Sequence, residues 1–546
     1  MNATGSYLWS TPANWSAAVP TTSGYAAMFN MPSYLFSGAN VTVDVDQAIT
    51  VAGLRLVSGG STGSLTLSNS TITLNGGANF SSGSWLQATG LASMTINNNL
   101  TLANTNGTTF QTGLAGAASG VWFKGVISGS SNITQTGSGY VFFGGSNTFS
   151  GNVAFNGGEY LATAANAFSS ASAGTYTFAS TGTTNFGTTA SGTTAFNNAI
   201  NFNGKTNDMK IFSGGTGSTF EITSSALSNA TGTGKLLIER MISNSVVGYT
   251  ANGVGTVKFS GTGYTIAKDV STAGNSMLEL APASGTQTWS GNFTGFSGTN
   301  SIKKSGAGTV ILGGTNTYTS QTFVNAGTLL INGTHVQASQ GWGGASLTAG
   351  IYEVASGGTL GGTGRIAGND TRANTNMVLV KSGGIIAPGG TGIGTLTLDG
   401  VNIGGIGLAS QVLNMASGSK FSFRLAGNGT SADHVDFWNY ANGDLLLSGG
   451  NIAVNLTLSG LGDGASHTVT LFKFYSNSGT TAFSGANLTT GLALGTVDPS
   501  ISGTPTFNYY SDRIDLTYFS VPEPGTWVLL ALSGTFFMVM RRRRQD

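Results

Sequence analysis

The chain has 546 residues, a formal net charge of +1 and charged side chains at only 8% of positions. Its length exceeds what one compact core accommodates, so several domains or one elongated repeat structure are expected. The low charge excludes an extended basic surface for nucleic acid, and the absence of cysteine excludes disulfides and thiolate sites.

Short apolar runs separated by glycine and asparagine recur along most of the chain, which contains 86 glycines and 39% hydrophobic residues. Early examples are residues 64–67, 71–74, 94–96 and 100–102. Their side chains alternate between apolar and polar, which predicts short β-strands with one buried face. Helical periodicity is nearly absent before the last 26 residues.

The N-terminal segment, residues 1–35, is predicted to cap one end of the structure with its aromatic residues, including Trp9 and Trp15. The first 20 residues contain neither a basic stretch nor an apolar stretch, so they do not form a signal peptide. Because the C-terminus implies export, as described below, we expect the natural N-terminus and its signal peptide to be missing here.

Two segments, residues 133–161 and 302–330, align without a gap at an offset of 169 positions. Eleven of their 29 positions are identical. The shared residues include Gly137/Gly306, Gly139/Gly308, Gly144/Gly313, Gly145/Gly314, Gly158/Gly327 and Asn147/Asn316. A third, partial copy occupies residues 253–265. Internal repetition of this kind predicts stacked repeats.

This pattern predicts an all-β fold, a right-handed parallel β-helix (solenoid), over residues 36–400. Glycine supplies the positive φ that tight corners need, and inward Asn and Thr can form ladders from coil to coil. A string of β-sandwiches is the alternative, because sandwiches also show frequent turn signals. Repetition and Gly-Asn corners favour the solenoid.

Residues 305–333, SGAGTVILGGTNTYTSQTFVNAGTLLING, resemble the autotransporter-associated β-strand repeat, also called the passenger-associated transport repeat. Residues 356–368 and 382–400 resemble the following coils, and the segment around Trp9, Asn14, Trp15 and Pro20 resembles the opening of such proteins. The resemblance implies a surface β-helix, frequently adhesive or of unknown role. Glu159 and Tyr160 stand where the family usually has Thr-Leu, so an irregular coil is expected there.

Residues 401–520 contain longer and more charged strands, such as FSFRLAG and HTVTLFKFY. We interpret them as the last coils and a β-rich C-terminal cap. A cap would cover strand edges that an open solenoid leaves unpaired.

The chain ends VPEPGTWVLLALSGTFFMVMRRRRQD, residues 521–546. Residues 526–540 carry no charge and would span about 22 Å as a transmembrane helix, short of the roughly 30 Å hydrocarbon core. The basic cluster Arg541, Arg542, Arg543 and Arg544 predicts a cytoplasmic end, so the body would lie outside the inner membrane. An ordinary tail anchor is the alternative.

Pro522, Glu523 and Pro524, then the apolar segment, then the arginines resemble the PEP-CTERM sorting signal of Gram-negative bacteria. The resemblance implies that residues 522–524 are recognised by exosortase, a transpeptidase-like membrane protease, and that the tail is removed. Prolines would keep the motif extended for a protease.

The sequence offers few candidates for chemistry, and we predict no catalytic residues, no metal and no cofactor. Asp433, His434 and Asp436 could contribute to a metal site, but no second histidine is near, and a solvated or salt-bridged loop is preferred. Asp44 and Asp46 share one strand face and could bind Ca²⁺ weakly, but an exposed strand edge is the preferred explanation.

Asp512 and Asp515 flank Arg513 and predict surface ion pairs. The first 400 residues contain only 11 acidic residues, and most of them are isolated. This distribution does not favour a catalytic groove lined by several carboxylates.

We therefore expect a non-enzymatic, exported protein of the Gram-negative cell envelope, surface or extracellular matrix, structural or adhesive, with the inner membrane as an intermediate. Its surface would contact polysaccharide or other copies of itself, with Trp85, Trp122, Trp342 and Trp438 stacking on sugars if they are exposed. A polysaccharide lyase or hydrolase on a β-helix is the alternative and would need three or more clustered carboxylates. A third hypothesis is a periplasmic protein whose membrane tail is never processed.

Overall fold

The computed structural model divides into two compact units, residues 1–308 and 309–546. It describes residues 5–31, 40–58, 63–76, 84–89, 93–112, 120–168, 174–179, 181, 184–214, 217–240, 255–272, 276–297, 300–336, 351–368, 376–400, 411–438, 445–448, 451–475 and 491–521. The predicted sorting segment from residue 522 onward lies outside these ranges, as does Trp342.

The first unit contains one 3-10 turn, Pro12–Asn14, and otherwise short strands. In chain order these are β1 Gly5–Leu8, β2 Ala26–Met31, β3 Asn40–Val45, β4 Ile49–Val51, β5 Gly53–Ser58, β6 Ser64–Asn69, β7 Ile72–Leu74, β8 Ser84–Thr89, β9 Ser93–Ile96, β10 Leu100–Leu102, β11 Thr108–Thr112, β12 Gly120–Phe123, β13 Ile127–Gly129, β14 Ile133–Thr136, β15 Tyr140–Phe143, β16 Val153–Phe155, β17 Gly158–Ala162, β18 Thr175–Phe178, β19 Thr184–Thr188, β20 Gly192–Phe196, β21 Ala199–Asn201, β22 Met209–Ser213, β23 Ser218–Ile222, β24 Leu227–Ser228, β25 Leu236–Arg240, β26 Gly255–Phe259, β27 Tyr264–Ile266, β28 Val270–Thr272, β29 Ser276–Leu280, β30 Thr286–Trp289, β31 Phe293–Thr294 and β32 Ser301–Lys304.

These strands form long parallel sheets because each turn of the chain adds one strand to each sheet. Sheet A has 12 strands, in the order β1-β3-β6-β9-β12-β15-β17-β19-β22-β25-β28-β31. Sheet B has nine, β2-β5-β8-β11-β14-β16-β18-β21-β24, and sheet C has four, β4-β7-β10-β13. Strands β20, β23, β26, β29 and β32 follow one another in a further parallel sheet, sheet D.

The second unit repeats this plan. Its strands are β33 Thr309–Leu312, β34 Thr315–Asn316, β35 Thr322–Val324, β36 Gly327–Ile331, β37 Thr334–Val336, β38 Tyr352–Val354, β39 Gly358–Gly362, β40 Arg365–Ala367, β41 Asn376–Val380, β42 Ile385–Pro388, β43 Thr395–Asp399, β44 Gln411–Ala416, β45 Lys420–Ala426, β46 His434–Trp438, β47 Leu445–Ser448, β48 Ile452–Ser459, β49 Ser466–Phe474, β50 Leu492–Val497, β51 Ile501–Tyr509 and β52 Arg513–Ser520. They alternate among sheet E (β33-β36-β39-β42-β45-β48-β50), sheet F (β34-β37-β40-β43-β46-β49-β52-β51) and sheet G (β35-β38-β41-β44-β47).

Alternation along the strands places the core between the sheets. In β6, Leu65 and Leu67 are fully buried while Ser64 and Thr66 are half-buried on the other face. Polar and apolar side chains therefore lie on opposite faces, as a strand of period two requires. The predicted all-β class with long parallel sheets is confirmed.

The last strands depart from the parallel plan. Strand β52 pairs antiparallel with both β49 and β51, with register shifts in each pairing. These strands have eight or nine residues each, and among the other described strands of the second unit only β48 is as long as eight. Sheet F thus ends in an antiparallel meander after a parallel series.

The two repeat copies have nearly the same local structure. At the offset of 169, β15, β16 and β17 coincide residue for residue with β33, β35 and β36. Tyr140 pairs with Glu159 in the first copy, and Thr309 pairs with Thr328, also 19 positions on, in the second. Each copy therefore contains strands of two successive coils, which hydrogen-bond to each other in the same register in both copies.

The coil that contains Glu159 and Tyr160 is regular, so the prediction of an irregular coil is wrong. Strands β17 and β36 have the same sequence of burial, with two half-buried residues followed by three buried ones. Tyr160 is buried, its ring centroid lies 3.8 Å from that of Phe155, and its hydroxyl donates to the Gly157 carbonyl. The core accommodates the larger side chain without changing the strand.

Two of the shared glycine pairs explain why the repeat retains glycine. Gly137 and Gly306 have φ of +95° and +73°, and Gly158 and Gly327 have φ of +93° and +64°. L-residues with a side chain rarely adopt this conformation, so the corners depend on glycine.

The shared asparagine links three successive coils in the first unit. The Asn147 side chain is fully buried, accepts the backbone N–H of Ile127 at 2.7 Å and donates to the Ala167 carbonyl at 2.5 Å. At another corner, Asn132 accepts the N–H of Asn152, which in turn accepts the N–H of Thr175. Such side chains satisfy backbone groups that corners leave without a strand partner.

The N-terminal aromatic residues form a packed cluster. Trp9 is fully buried and donates its indole N–H to the Pro20 carbonyl at 2.9 Å, while Trp15 donates to the Trp9 carbonyl at 2.8 Å. The rings of both tryptophans contact Phe29. The assignment of residues 1–35 as a cap stays a prediction, as do the other predicted domain boundaries.

Within the described ranges no α-helix is present, and no helix is long and apolar enough to cross a membrane. The predicted transmembrane helix, residues 526–540, lies outside these ranges.

Candidate functional site

The described chain ends immediately before the predicted sorting motif, and its last residues are held firmly in the second unit. Ser520 donates its backbone N–H to the Ala465 carbonyl at 3.1 Å, and Val521 donates to the Ser500 carbonyl at 2.8 Å. The fold therefore fixes the backbone up to one residue before Pro522.

A polar cluster of Asp463, His467 and Ser520 holds the C-terminal end of β52 in place. Ser520 is fully buried and donates its hydroxyl to Asp463 Oδ1 at 2.9 Å. His467 Nε2 lies 2.7 Å from Asp463 Oδ1 and 3.3 Å from Ser520 Oγ. Hydrogen bonds from His467 and Ser520 lower the pKa of Asp463 below its usual value.

The composition of this cluster is that of a hydrolase triad, but its geometry is not. A triad uses the two imidazole nitrogens for different partners, one for the nucleophile and one for the carboxylate. Here Nε2 contacts both the carboxylate and the hydroxyl. The three groups instead form a closed triangle that joins the loop at Asp463 to the last strand, β52.

The segment weighed as a metal site is divided between two environments. Asp433 is buried and forms an ion pair with Arg424, whose Nε lies 2.8 Å from Asp433 Oδ2. Its other oxygen accepts the backbone N–H of Gly394 at 2.8 Å. His434 Nε2 lies 2.8 Å from Thr395 Oγ1 and 3.6 Å from Asp436 Oδ1. The structure thus does not bring Asp433 together with His434 and Asp436.

The other acidic candidates have partners of their own. Asp44 accepts a hydrogen bond from Asn69 at 2.5 Å, and Asp46 accepts the backbone N–H of Ser10 at 3.0 Å. Asp44 lies on β3, which pairs with β1 on one side and with β6 on the other. The interpretation of this strand as an exposed edge is therefore wrong.

The predicted ion pairs around Arg513 are present. Its Nη1 lies 3.1 Å from Asp512 Oδ1, and its Nε lies 3.0 Å from Asp515 Oδ2.

Acidic residues of sheet D form a ladder with lysines. Glu221 pairs with Lys258 at 3.0 Å, and Glu279 pairs with Lys303 at 3.7 Å. Lys258 and Glu279 are also neighbours across β26 and β29.

Across the described part of the chain, no group of three or more His, Asp or Glu side chains is placed to hold a metal ion.

The four tryptophans considered for sugar binding differ in exposure. Trp85 and Trp122 are half-buried, and the Trp122 ring is stacked on Phe142 with centroids 4.6 Å apart. Trp438 is 44% exposed. Trp342 lies outside the described residues.

Two buried polar groups could not be recognised in the sequence. His335 Nε2 lies 3.0 Å from the Tyr318 carbonyl, and Nδ1 lies 2.7 Å from the Tyr352 hydroxyl. The Tyr318 hydroxyl links the Tyr352 and Thr322 hydroxyls at 3.1 and 2.8 Å. Burial lowers the pKa of His335 to about 4.

Lysines 205 and 268 are the second such group. Lys205 is fully buried and donates to the Ala179 carbonyl at 3.3 Å, while Lys268 donates to the Lys205 carbonyl at 2.5 Å. Burial, with a smaller contribution from the charge of Lys268, lowers the pKa of Lys205 to about 8. Both groups are buried, so neither forms an accessible site.

The predicted sorting residues Pro522, Glu523 and Pro524, and the cluster Arg541, Arg542, Arg543 and Arg544, lie outside the described residues. Their assignment is supported by comparison with protein families instead. Residues 520–544 match the model of the PEP-CTERM protein-sorting motif. Such a motif indicates export and sorting to the Gram-negative cell envelope, with exosortase as the partner.

The repeats are matched as well. Residues 133–159 and 302–331 match the model of the passenger-associated-transport-repeat, which covers the two copies whose strands coincide. No curated protein matches the chain. Both resemblances found in the sequence are therefore confirmed: the chain carries passenger-associated-transport repeats in its β-sheet body and a PEP-CTERM sorting motif at its C-terminal end.

Proposed function

We propose that the chain is a non-enzymatic structural or adhesive protein of the cell surface or extracellular matrix, whose coils wind as a right-handed β-solenoid. Exosortase recognises residues 522–524 and removes the apolar tail, so the inner membrane is only an intermediate. The body then contacts polysaccharide or other copies of itself.

One observation supports this proposal most directly: the two repeat copies have the same strands in the same register. Proteins of this plan gain stability from contacts between neighbouring coils, so their stability grows with the number of coils. The right hand follows from the strong preference of parallel crossovers for right-handed connections. The antiparallel end of sheet F fits a terminal cap, because it interrupts parallel stacking.

The body suits a binding role that is distributed over many weak contacts. The chain is rich in Ser, Thr, Asn and Gly, and only 8% of its residues are charged. Repeated coils present similar groups at regular intervals, so modest contacts add up through multivalency.

The sorting role is tested with Glu523→Gln in the natural host or in a strain that expresses an exosortase. We expect the wild-type chain to lose its tail and leave the inner membrane, and the variant to stay there uncleaved. Fractionation and mass spectrometry of the C-terminus measure both results. Thr526→Ala, which lies just after the motif, is the matched control and should be processed normally. Normal release of the Glu523→Gln chain would refute the role of the motif.

The non-enzymatic proposal has its own test. The purified chain is incubated with neutral and acidic polysaccharides, and new reducing ends and unsaturated uronate absorbance are measured. We expect neither to rise above the rate without protein. Turnover that is lost in an acid-to-amide variant would establish the alternative, a polysaccharide lyase or hydrolase.

A further inference from the structure

Three strands of the second unit present an outer face with an unusual concentration of exposed rings. Strands β46, β49 and β52 lie side by side in sheet F, with Phe437 paired with Phe474 and Lys473 paired with Arg513. Phe437, Phe474 and Ile514 are buried, so the alternate positions lie on the opposite face. That face is here called the ring face and comprises Asp436, Trp438, Lys473, Tyr475 and Arg513, together with Tyr510 and Asp512 from the segment between β51 and β52.

The rings of this face are gathered at the same end of the three strands. The Tyr475 backbone N–H donates to the Phe437 carbonyl at 2.8 Å, which places Tyr475 beside Trp438. The Tyr510 N–H donates to the Arg513 carbonyl at 2.9 Å, at the start of β52. The Trp438 and Tyr475 centroids are 5.8 Å apart. Trp438 and Tyr475 are therefore adjacent, with their ring planes at 64° to each other, and Tyr510 lies in the segment between β51 and β52.

These rings are exposed although they are large and apolar. Trp438 and Tyr510 are each 44% exposed, and Tyr475 is 36% exposed. Cations hold two of them in place: Lys473 Nζ lies 4.9 Å from the Tyr475 centroid, and Arg513 Cζ lies 4.2 Å from the Tyr510 centroid. Orienting the rings in the free protein reduces the side-chain entropy that the protein would otherwise lose on binding a ligand.

Polar groups stand directly beside the rings. Arg513 is held by Asp512 and Asp515, and both Arg513 and Asp512 remain about one-third exposed, at 37% and 31%. Asp436 is the cross-strand neighbour of Lys473. Donors and acceptors of hydrogen bonds thus lie beside the exposed rings.

We propose that the ring face is a binding site for a neutral polysaccharide, with Trp438 and Tyr475 stacking on pyranose rings and Lys473, Arg513 and Asp512 bonding to their hydroxyls. A sugar has an apolar C–H face and a rim of hydroxyls, so it needs flat rings with polar groups beside them. A polyanion fits less well, because Asp436, Asp512 and Asp515 outnumber Lys473 and Arg513. The inference names the ligand class of the proposed extracellular role and rests on it for its biological setting.

The test is affinity electrophoresis of the full 546-residue chain in gels that contain mixed-linkage β-glucan, galactomannan or polygalacturonate. We expect retardation by at least one of the two neutral polymers and weaker retardation by polygalacturonate. Trp438→Ala and Tyr475→Ser should each weaken binding by about three- to tenfold. Tyr25→Ala removes a ring that is 55% exposed in the first unit and is the matched control, which should bind as wild type.

Thermal unfolding of each variant establishes that the fold is intact. If Trp438→Ala alone is destabilised, Tyr475→Ser decides the result. The proposal is overturned if neither neutral polymer retards the wild type, if only polygalacturonate does, or if folded Trp438→Ala and Tyr475→Ser bind as tightly as wild type. Failure of binding leaves processing at Glu523 unaffected, so the two proposals fail separately.

Discussion

The buried imidazole of His335 makes the stability of the second unit depend on pH. Its folded-state pKa is about 4, because burial opposes the charged form, against 6.5 in the unfolded chain. Above pH 6.5 the imidazole is neutral in both states. As pH falls below 6.5, the unfolded chain binds a proton that the folded chain rejects, so stability is lost until pH reaches about 4.

The size of the loss follows from the shift. Each pKa unit corresponds to about 1.4 kcal/mol, so the difference between 6.5 and about 4 limits the loss to about 3 kcal/mol. At pH 5 the expected loss is about 2 kcal/mol. The Nε2–H donates to the Tyr318 carbonyl, so Nδ1 accepts from the Tyr352 hydroxyl, and a second ring proton on Nδ1 would disrupt that second hydrogen bond.

The assay is hydrogen exchange measured by mass spectrometry on peptides covering residues 315–336, corrected for the intrinsic effect of pH on exchange. His335→Gln removes the titration but retains a donor and an acceptor, so it serves as the reference. All other groups are common to both proteins, so their contributions cancel in the comparison. We expect the wild type to lose opening free energy relative to His335→Gln between pH 7 and pH 5. Equal losses of opening free energy in the wild type and in His335→Gln would refute the reasoning.

Three further predictions concern the coils of the first unit and are measured by thermal or urea unfolding. Gly145→Ala should destabilise by about 1–3 kcal/mol, because the new Cβ would lie 2.2 Å from the Gly125 carbonyl oxygen, whereas Gly24→Ala has room and should be neutral. Asn147→Ala should cost about 2–3 kcal/mol, because it leaves two buried backbone groups without partners; a loss below 0.5 kcal/mol would contradict this. Lys205→Met should be more stable relative to wild type at pH 7 than at pH 10, because the buried lysine, with its pKa near 8, loses its charge penalty as pH rises; a constant difference would contradict it.

Sequence reasoning recovered the local units of the fold because strands and corners have local signals. The predicted runs at residues 64–67 and 100–102 correspond to β6, Ser64–Asn69, and β10, Leu100–Leu102. Glycines shared between the repeat copies adopt positive φ, as at Gly158 and Gly327. These features depend on a few neighbouring residues, so they are legible in the sequence.

Features that depend on which coils become neighbours were not predictable. Asp463 and Ser520 are 57 positions apart and meet only because β52 turns back antiparallel beside β49. The number of residues in a coil also varies: paired residues are 19 positions apart at Thr309 and Thr328, and 40 apart at Ile452 and Leu492. No local pattern fixes these separations, since the intervening loops set them.

The same limit applies to the buried charges and to the ring face. His335 lies on the short strand β37, Thr334–Val336, whose sequence gives no sign of burial, and its partners Tyr318 and Tyr352 are each 17 positions away along the chain. Trp438 was a candidate for sugar binding, but its neighbour Tyr475 joins it only through the pairing of β46 with β49. Without the pairing, the tryptophan is one exposed ring among others.

The most direct test of the account is whether β15 pairs with β17, and β33 with β36, in the same register in solution. Because the chain has no cysteine, Tyr140→Cys/Glu159→Cys and Thr309→Cys/Thr328→Cys each introduce a single pair of thiols. Adjacent strands are about 4.8 Å apart, which suits a disulfide. We predict that both pairs oxidise readily within one chain, as detected by mass spectrometry, and that Thr309→Cys/Leu329→Cys, displaced by one residue onto the opposite face, does not. Equal oxidation of the displaced pair, or none in either matched pair, would contradict the stacked-coil structure.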